Sequence, residues 1–437
     1  MKRRVRELLK SAAIVLLAVN AVYLAYESEV FSEFLSEVRL PAWLAAYFQS
    51  GSQSGTAGST GESVGNTIVA RPTAMAVVSD VGARCGAKYS DTELDAMYEK
   101  TVNIFGEALG SATLPEGCSE EEWQSALARP GIYWDYQVEL PISSLVKWLG
   151  VSALNVNPDY ASRFAVVIGD GGEVSVYYSN SAGCYKCGTA AAAESIGGVL
   201  QEFLPNGAYF AFESWEVREM VGLYTLVMPE LSDKYVLQAS VLTAAETVRE
   251  QTAELLGMNI LGGASYLERN GTMVFVGVNG ILRIHPDGEV NYSATDYDYS
   301  GSETETVSDE QIVERAYKLV SDMRAGHSGS ETLSLTGFET REDGRRSVSF
   351  GYFVDGTMIV QRSGSAATAV YEDGRLVSLD IWLRGYSASE EKATLLPELQ
   401  AAAIAGGLEK NGSLKLVYYD EGSGAVPPAW TVEKLQK

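Results

Sequence analysis

The stretch "VSFGYFVDGTMIV", residues 348–360, predicts the architecture of the second half of the chain. Apolar and aromatic residues lead up to Asp355-Gly356, and an apolar run resumes directly after it. Asp-Gly is one of the strongest short hairpin signals, because a type I′ turn needs positive φ at both central residues. A second Asp-Gly follows at Asp373-Gly374, inside "AVYEDGRLVSL". The stretch therefore predicts an antiparallel meander of short strands.

The same order of elements occurs earlier in the chain, which indicates an internal repeat. A helical pattern at 242–258 is followed by strand-like residues with an Asn-Gly at 279–280 and an Asp-Gly at 287–288. A second helical pattern at 308–326 precedes the opening stretch. Each unit is predicted to be a helix packed on an antiparallel meander.

The region before the repeat predicts a further domain that mixes helices and strands. Residues 90–111 and 119–131 have helical apolar spacing, with Ser90 and Ser119 as N-caps. A hairpin is predicted around residues 169–172, between strands rich in Val and Tyr. The fold class expected for the whole chain is α+β.

The N-terminus predicts a membrane anchor. Five basic residues precede an uncharged run: Lys2, Arg3, Arg4, Arg6 and Lys10. The run includes these anchor residues: Ser11, Ile14, Leu16, Leu17, Val19, Val22, Leu24 and Tyr26. It is shorter than the ~20 residues that usually span a bilayer, but long basic side chains can snorkel. Basic residues favour a cytoplasmic N-terminus, so a single-pass protein of the cell membrane is expected, with most of the chain extracytoplasmic. A signal peptide cleaved after Ala21 is the alternative.

These patterns divide the chain into five predicted segments. They are a cytoplasmic tip and transmembrane anchor at 1–27, a juxtamembrane helix and Gly/Ser-rich tether at 28–66, a first extracytoplasmic α+β domain at 67–235, a helix-meander unit at 236–307, and a C-terminal helix-meander unit at 308–437. The tether composition is typical of a flexible linker.

The charge of the chain argues against nucleic acid as a partner. The net charge is −24, and the basic N-terminus leaves −28 for the rest. Such an acidic surface repels phosphate backbones. The apolar content of 46% is sufficient for real hydrophobic cores. We therefore expect two or three folded extracytoplasmic domains.

Groups suited to catalysis or metal binding are scarce. His285 and His327 are the two histidines of the sequence, and both fall in predicted turns or loops, where solvated surface positions are expected. The acidic segment 295–310 could be a calcium loop, but its spacing does not fit an EF-hand, and a solvated linker fits better. No catalytic residue, cofactor site or metal site is predicted.

The four cysteines are Cys85, Cys118, Cys184 and Cys187. A C-x-x-C near a helix is compatible with a thioredoxin-like redox motif, and four sulfurs with zinc. In an exported domain disulfides are the simpler expectation. We predict that Cys184 pairs with Cys187 in a loop and that Cys85 pairs with Cys118.

The basic single-span N-terminus and the terminal unit "FGYFVDGTMIV … VYEDGRLVSL … LVYYDEGSGAVPPAWTVE" resemble the YycH/YycI family of regulatory proteins, whose C-terminal units are PepSY-like. The resemblance implies a non-enzymatic, membrane-anchored protein that contacts and tunes a cell-envelope sensor histidine kinase. It leaves open whether a related regulatory protein joins it as a heterodimer. The alternatives are a scaffold for a cell-wall enzyme or protease and, more remotely, a thiol-disulfide oxidoreductase.

Overall fold

The computed structural model describes residues 69–433, except 154, 156, 158, 259–263, 296–306, 328, 409–411 and 423. The described residues belong to one compact unit. Seven α-helices and mainly antiparallel sheets make up the described part. None of the helices found there is long and apolar enough to cross a membrane. The predicted anchor, its basic flank, the tether and most of the acidic segment lie outside the described residues.

The first sheet has seven antiparallel strands in the order β2-β1-β4-β5-β6-β7-β3. Its strands are β1 (Ala74–Val78), β2 (Arg84–Lys88), β3 (Glu116–Cys118), β4 (Gly131–Pro141), β5 (Tyr160–Ile168), β6 (Val174–Asn180) and β7 (Gly183–Gly188). Four helices accompany it: α1 (Asp91–Gly110), α2 (Glu120–Leu127), α3 (Ile142–Trp148) and α4 (Ala193–Leu200). The predicted N-caps are confirmed, because the Ser90 and Ser119 hydroxyls accept bonds from the amides of Glu93 and Glu122.

Both faces of this sheet are buried, and side chains alternate between them as strand geometry requires. One face, which we call the Phe105 face, carries Trp134, whose ring stacks on Phe105 of α1 at 4.3 Å between centroids. The other, the Trp123 face, carries Tyr133 and Tyr177 and packs against Trp123 of α2. The two faces of the sheet therefore belong to two separate cores.

The second large sheet has eleven strands and contains both repeat units. Its strands are β11 (Ala264–Leu267), β12 (Met273–Val276), β13 (Gly280–Ile284), β14 (Glu289–Ala294), β15 (Thr332–Thr340), β16 (Arg346–Val354), β17 (Thr357–Gln361), β18 (Ala367–Glu372), β19 (Arg375–Trp382), β21 (Ser413–Asp420) and β23 (Pro428–Glu433). The two units join where β14 pairs antiparallel with β19. The predicted boundaries at 235/236 and 307/308 stay predictions as limits of independently folding domains.

The remaining helices and strands complete the layers. They are β8 (Tyr209–Phe210), β9 (Leu226–Val227), β10 (Tyr235–Val241), α5 (Glu246–Leu255), α6 (Asp309–Met323), β20 (Arg384–Lys392), α7 (Glu398–Leu408) and β22 (Ala425–Val426). Residues of α5 and α6 lie in the same core as the meander strands, for example Val248, Val320 and Phe350. Helix and meander residues of both units therefore contribute to one shared core.

Only the C-terminal unit has the predicted type I′ turns. Asp355-Gly356 and Asp373-Gly374 have positive φ at both residues. In the first unit neither Asn279 nor Gly280 does, and only Gly288 does in the following turn. A Cβ at Gly280 would lie 2.5 Å from the carbonyl oxygen of Ser293. This position needs glycine because β14 approaches closely, so the predicted turn type was wrong there.

Candidate interaction surface and cysteine pair

Helix α7 has apolar residues on almost every side, which is unusual for a helix at a protein surface. Its buried side consists of small residues, Ala401, Ala402 and Ala405, which pack on Val217 and Val221. Its outer side carries Leu399 and Ile404, which are 45% and 56% exposed. A helix of this composition is normally covered on both sides, so the outer face is a candidate interaction surface.

Helix α7 is held at its first residue by a buried ion pair. Glu398 is 3% exposed and pairs with Lys88 of β2, which is 5% exposed. The second carboxylate oxygen of Glu398 accepts a hydrogen bond from the backbone amide of Met228 at 3.0 Å. These contacts fix α7 relative to the seven-stranded sheet.

The other end of α7 lies very close to the 3₁₀ turn Val217–Glu219 and the residue that follows it. A Cβ added to Gly406 would lie 2.7 Å from Met220 Cα, whereas a Cβ added to Gly407 would meet open space. Gly406 therefore permits a backbone approach that a side chain would prevent. The two glycines have separate environments, one at the packed face and one at the outer face.

Further exposed apolar side chains lie close in sequence to α7 and to the turn that it packs on. Leu396 precedes the helix and is 47% exposed, and Trp215 precedes the turn and is 75% exposed. Exposed tryptophan and branched aliphatic residues are typical of protein-binding surfaces. The apolar character of this helix is visible in the sequence, because "LPELQAAAIAGGL" contains a single charged residue. That residue, Glu398, is buried. We define the outer α7 surface as Leu396, Leu399 and Ile404.

Strand β11 is a second exposed apolar feature, at the edge of the eleven-stranded sheet. All four of its residues are exposed, and Tyr266 and Leu267 are 53% and 67% exposed. It pairs with β12 on one side. Edge strands with apolar side chains are suited to adding a strand from another chain. We call this strand the β11 edge.

The most buried ionic cluster joins β20 to β21 and is shielded from solvent. Arg384 and Asp420 lie 2.7 Å apart, with side chains 2% and 1% exposed. The Tyr386 hydroxyl donates to Asp420 at 2.7 Å, and Gln361 donates to that hydroxyl at 2.6 Å. Burial is the main cause that raises the pKa of Tyr386 far above its usual value. Such an enclosed network of hydrogen bonds and an ion pair fits a structural role better than catalysis.

A cavity of about 280 Å³ lies among α1, α3 and β6. Leu109, Val146 and Val176 form part of its apolar wall, and the Lys147–Glu310 ion pair lies at its lining. The volume is just below the ~300 Å³ at which small-molecule pockets usually begin. The cavity does not by itself define a ligand.

The structure contradicts the predicted cysteine arrangement. Cys184 and Cys187 lie on strand β7, not in a loop, and all four cysteines are free. Residues three apart on a strand point to opposite faces and lie ~10 Å apart, beyond the reach of a disulfide. Cys187 packs on the Phe105 face and Cys184 on the Trp123 face. The predicted Cys184–Cys187 bridge was therefore wrong.

The predicted Cys85–Cys118 bridge fails for the same reason. Cys85 packs on the Phe105 face and Cys118 on the Trp123 face. The structure instead places Cys118 of β3 directly opposite Cys184 of β7. The Cys184 thiol donates to the carbonyl oxygen of Cys118 at 2.8 Å. Sequence spacing could not reveal this pair, because it depends on the pairing of β3 with β7.

The other sequence-predicted groups are dispersed. His285 was expected to be a solvated group. Instead, its two ring nitrogens form hydrogen bonds with the Thr272 hydroxyl at 3.0 Å and with Asn291 Oδ1 at 2.8 Å, so the ring links neighbouring segments of the sheet. Among the described residues, no group of three or more His, Cys, Asp or Glu side chains is arranged to hold a metal ion. The anchor residues and the five basic residues lie outside the described part.

The helices and sheets described above define an α+β protein in which helices lie against antiparallel sheets. The fold is YycH-like: it is similar to the crystal structure of YycH from Bacillus subtilis, with a TM-score of 0.53 at 9% sequence identity. The similarity covers 83% of this chain and 93% of that chain. No family model and no curated protein matches the chain by sequence. The resemblance predicted from the sequence is confirmed as a fold.

Proposed function

We propose that this chain is a non-enzymatic, membrane-anchored regulator that binds a cell-envelope sensor histidine kinase and changes its activity. The observation that carries the proposal is the YycH-like fold, which extends over 83% of the chain. The family that the sequence resembles acts on such a kinase. The basic and apolar N-terminal sequence supports an anchor that would bring the chain close to it.

The surface chemistry supports a binding role. The outer α7 surface and the β11 edge present apolar side chains to solvent, and both are suited to contact with another protein. The titratable cluster around Arg384 is enclosed, whereas the two apolar surfaces are accessible. Contact is therefore the activity that the arrangement favours.

Site-specific photo-crosslinking in living cells tests the proposal. A photoreactive residue is placed at Ile404, on the outer α7 surface, or at Tyr266, on the β11 edge, of the full-length chain. The control position is Glu342, which is exposed on a polar hairpin turn. We expect a crosslinked sensor kinase from at least one of the two apolar positions and none from the control.

A second measurement tests modulation. Deletion of the gene should change the phosphorylation of the kinase's response regulator, and expression of the full-length chain should restore it. The proposal fails if neither apolar position captures a kinase, no kinase copurifies with the unmodified chain, and phosphorylation is unaltered in the deletion strain.

A further inference from the structure

Two cysteines distant in sequence face each other across neighbouring strands. Cys118 and Cys184 are directly opposed in the antiparallel register of β3 and β7. Opposed residues in such a ladder have Cα atoms ~4.5–5.5 Å apart, which lies inside the 4.4–6.8 Å range of disulfides. The Cys184 thiol also lies against the backbone of Cys118, donating to its carbonyl oxygen at 2.8 Å. Forming an S–S bond here requires no strand to move.

We propose that Cys118 and Cys184 form an oxidisable pair, closed into a disulfide by exchange with a small-molecule or protein disulfide. Both residues are half-buried, so a thiol reagent can reach them from the open edge of the sheet. The pair differs from both bridges expected from the sequence. It is also independent of the proposed regulatory function.

The exchange proceeds in two balanced steps. The Cys184 thiolate attacks a disulfide R–S–S–R, forming Cys184–S–S–R and releasing one thiolate. The Cys118 sulfur then attacks Cys184 Sγ, forms the Cys118–Cys184 bond and expels the second thiolate. The two cysteine protons end on the two R–SH products, and the R–S–S–R bond is the oxidant that is reduced.

The order of these steps follows from the surroundings of the two thiols. Burial, followed by the nearby Cys184 thiol, raises the pKa of Cys118 to about 12. The Cys118 thiol therefore keeps its proton at neutral pH and is a poor first nucleophile, since the thiolate is the attacking form. In the second step it passes that proton to the departing thiolate. We expect external disulfides to react first with Cys184.

The crosslink would hold the shortest strand of the first sheet to its neighbour. Strand β3 has three residues and lies at the end of the strand order, with β7 as its neighbour. Ser119, the N-cap of α2, follows Cys118 directly, so the bond would also fix the start of that helix. The oxidised protein therefore has a covalently closed sheet edge.

Tryptic mapping can identify the pairing without ambiguity. The four cysteines fall in four different tryptic peptides, because Lys186 lies between Cys184 and Cys187. The full-length chain is incubated with reduced and oxidised glutathione, alkylated, digested and analysed by mass spectrometry. We expect one major crosslink, between the peptides 101–147 and 164–186.

Matched variants separate the pair from the other cysteines. Cys85→Ser and Cys187→Ser should keep the crosslink. Cys118→Ser should stop at a glutathione adduct on Cys184, whereas Cys184→Ser should give little adduct on Cys118. The unmodified chain gives a result that does not depend on the folding of any variant. A dominant Cys184–Cys187 or Cys85–Cys118 linkage in that chain, or a glutathione adduct that persists without crosslinking, would overturn the proposal.

Discussion

The Lys88–Glu398 ion pair provides a quantitative test of how α7 is held. Replacing Glu398 with alanine leaves the Lys88 ammonium buried and removes the acceptor of the Met228 amide. Removing one partner of a buried pair typically costs about 3–5 kcal/mol, because the remaining charge is uncompensated. We expect the free energy of unfolding to fall by about that amount.

Urea unfolding of the full-length chain in detergent, followed by tryptophan fluorescence, measures the loss. The matched control is Asp233→Ala, which breaks an exposed pair with Lys392 whose side chains are 57% and 58% exposed. Exposed pairs contribute about 0.2–1 kcal/mol. The double variant Lys88→Met/Glu398→Leu removes both charges and should recover much of the stability.

Hydrogen exchange gives a second readout for the same variant. If Glu398 holds the helix in place, the Glu398→Ala substitution should speed the exchange of the α7 amides. It should speed the exchange of the α6 amides less. A stability loss no larger than that of the exposed control, or unchanged exchange in α7, would refute the reasoning.

Three further outcomes follow from the structure. Gly406→Ala should destabilise the protein by about 1–3 kcal/mol, because the added Cβ would clash with the backbone at Met220. Gly407→Ala should be neutral or stabilise the protein by up to about 1 kcal/mol, because its Cβ meets open space. Thermal unfolding of the two variants measures the difference. Burial raises the pKa of Tyr352 from 10 to about 12. The stability that the protonated hydroxyl contributes is therefore present below pH 10 and is lost between pH 10 and about 12. In Tyr352→Phe the free energy of unfolding, measured at a series of pH values, should fall less steeply across that range. Oxidation of the Cys118–Cys184 pair, 66 residues apart, should add about 4 kcal/mol in urea unfolding, and an equal stability of the oxidised and reduced forms would count against the crosslink.

Local signals in the sequence predicted the elements that depend on neighbouring residues. The Ser90 and Ser119 caps and the Asp355-Gly356 turn are confirmed, because capping and turn geometry are set within four residues. The β7 strand was missed because "GCYKCG" is short and flanked by glycines. Its period-two pattern was present, since Cys184 and Lys186 share one face and Tyr185 and Cys187 the other.

The candidate sites depend on contacts that no local pattern contains. Glu398 looks like an ordinary acidic residue at a helix start, yet its partner Lys88 lies 310 residues away. The Cys118–Cys184 pair likewise depends on the register of β3 against β7. The apolar character of α7 was readable, but which side remained exposed was decided by the packing of its alanines on Val217 and Val221.

Reconstitution tests the central claim, regulation of a sensor kinase, most directly. The full-length chain and the sensor kinase encoded nearest to its gene are placed together in proteoliposomes, and the rate of kinase autophosphorylation is measured. The account predicts a change in that rate with increasing chain and a smaller change when Ile404 is replaced by aspartate. A rate independent of the chain, with no association of the two proteins in the membrane, would contradict it.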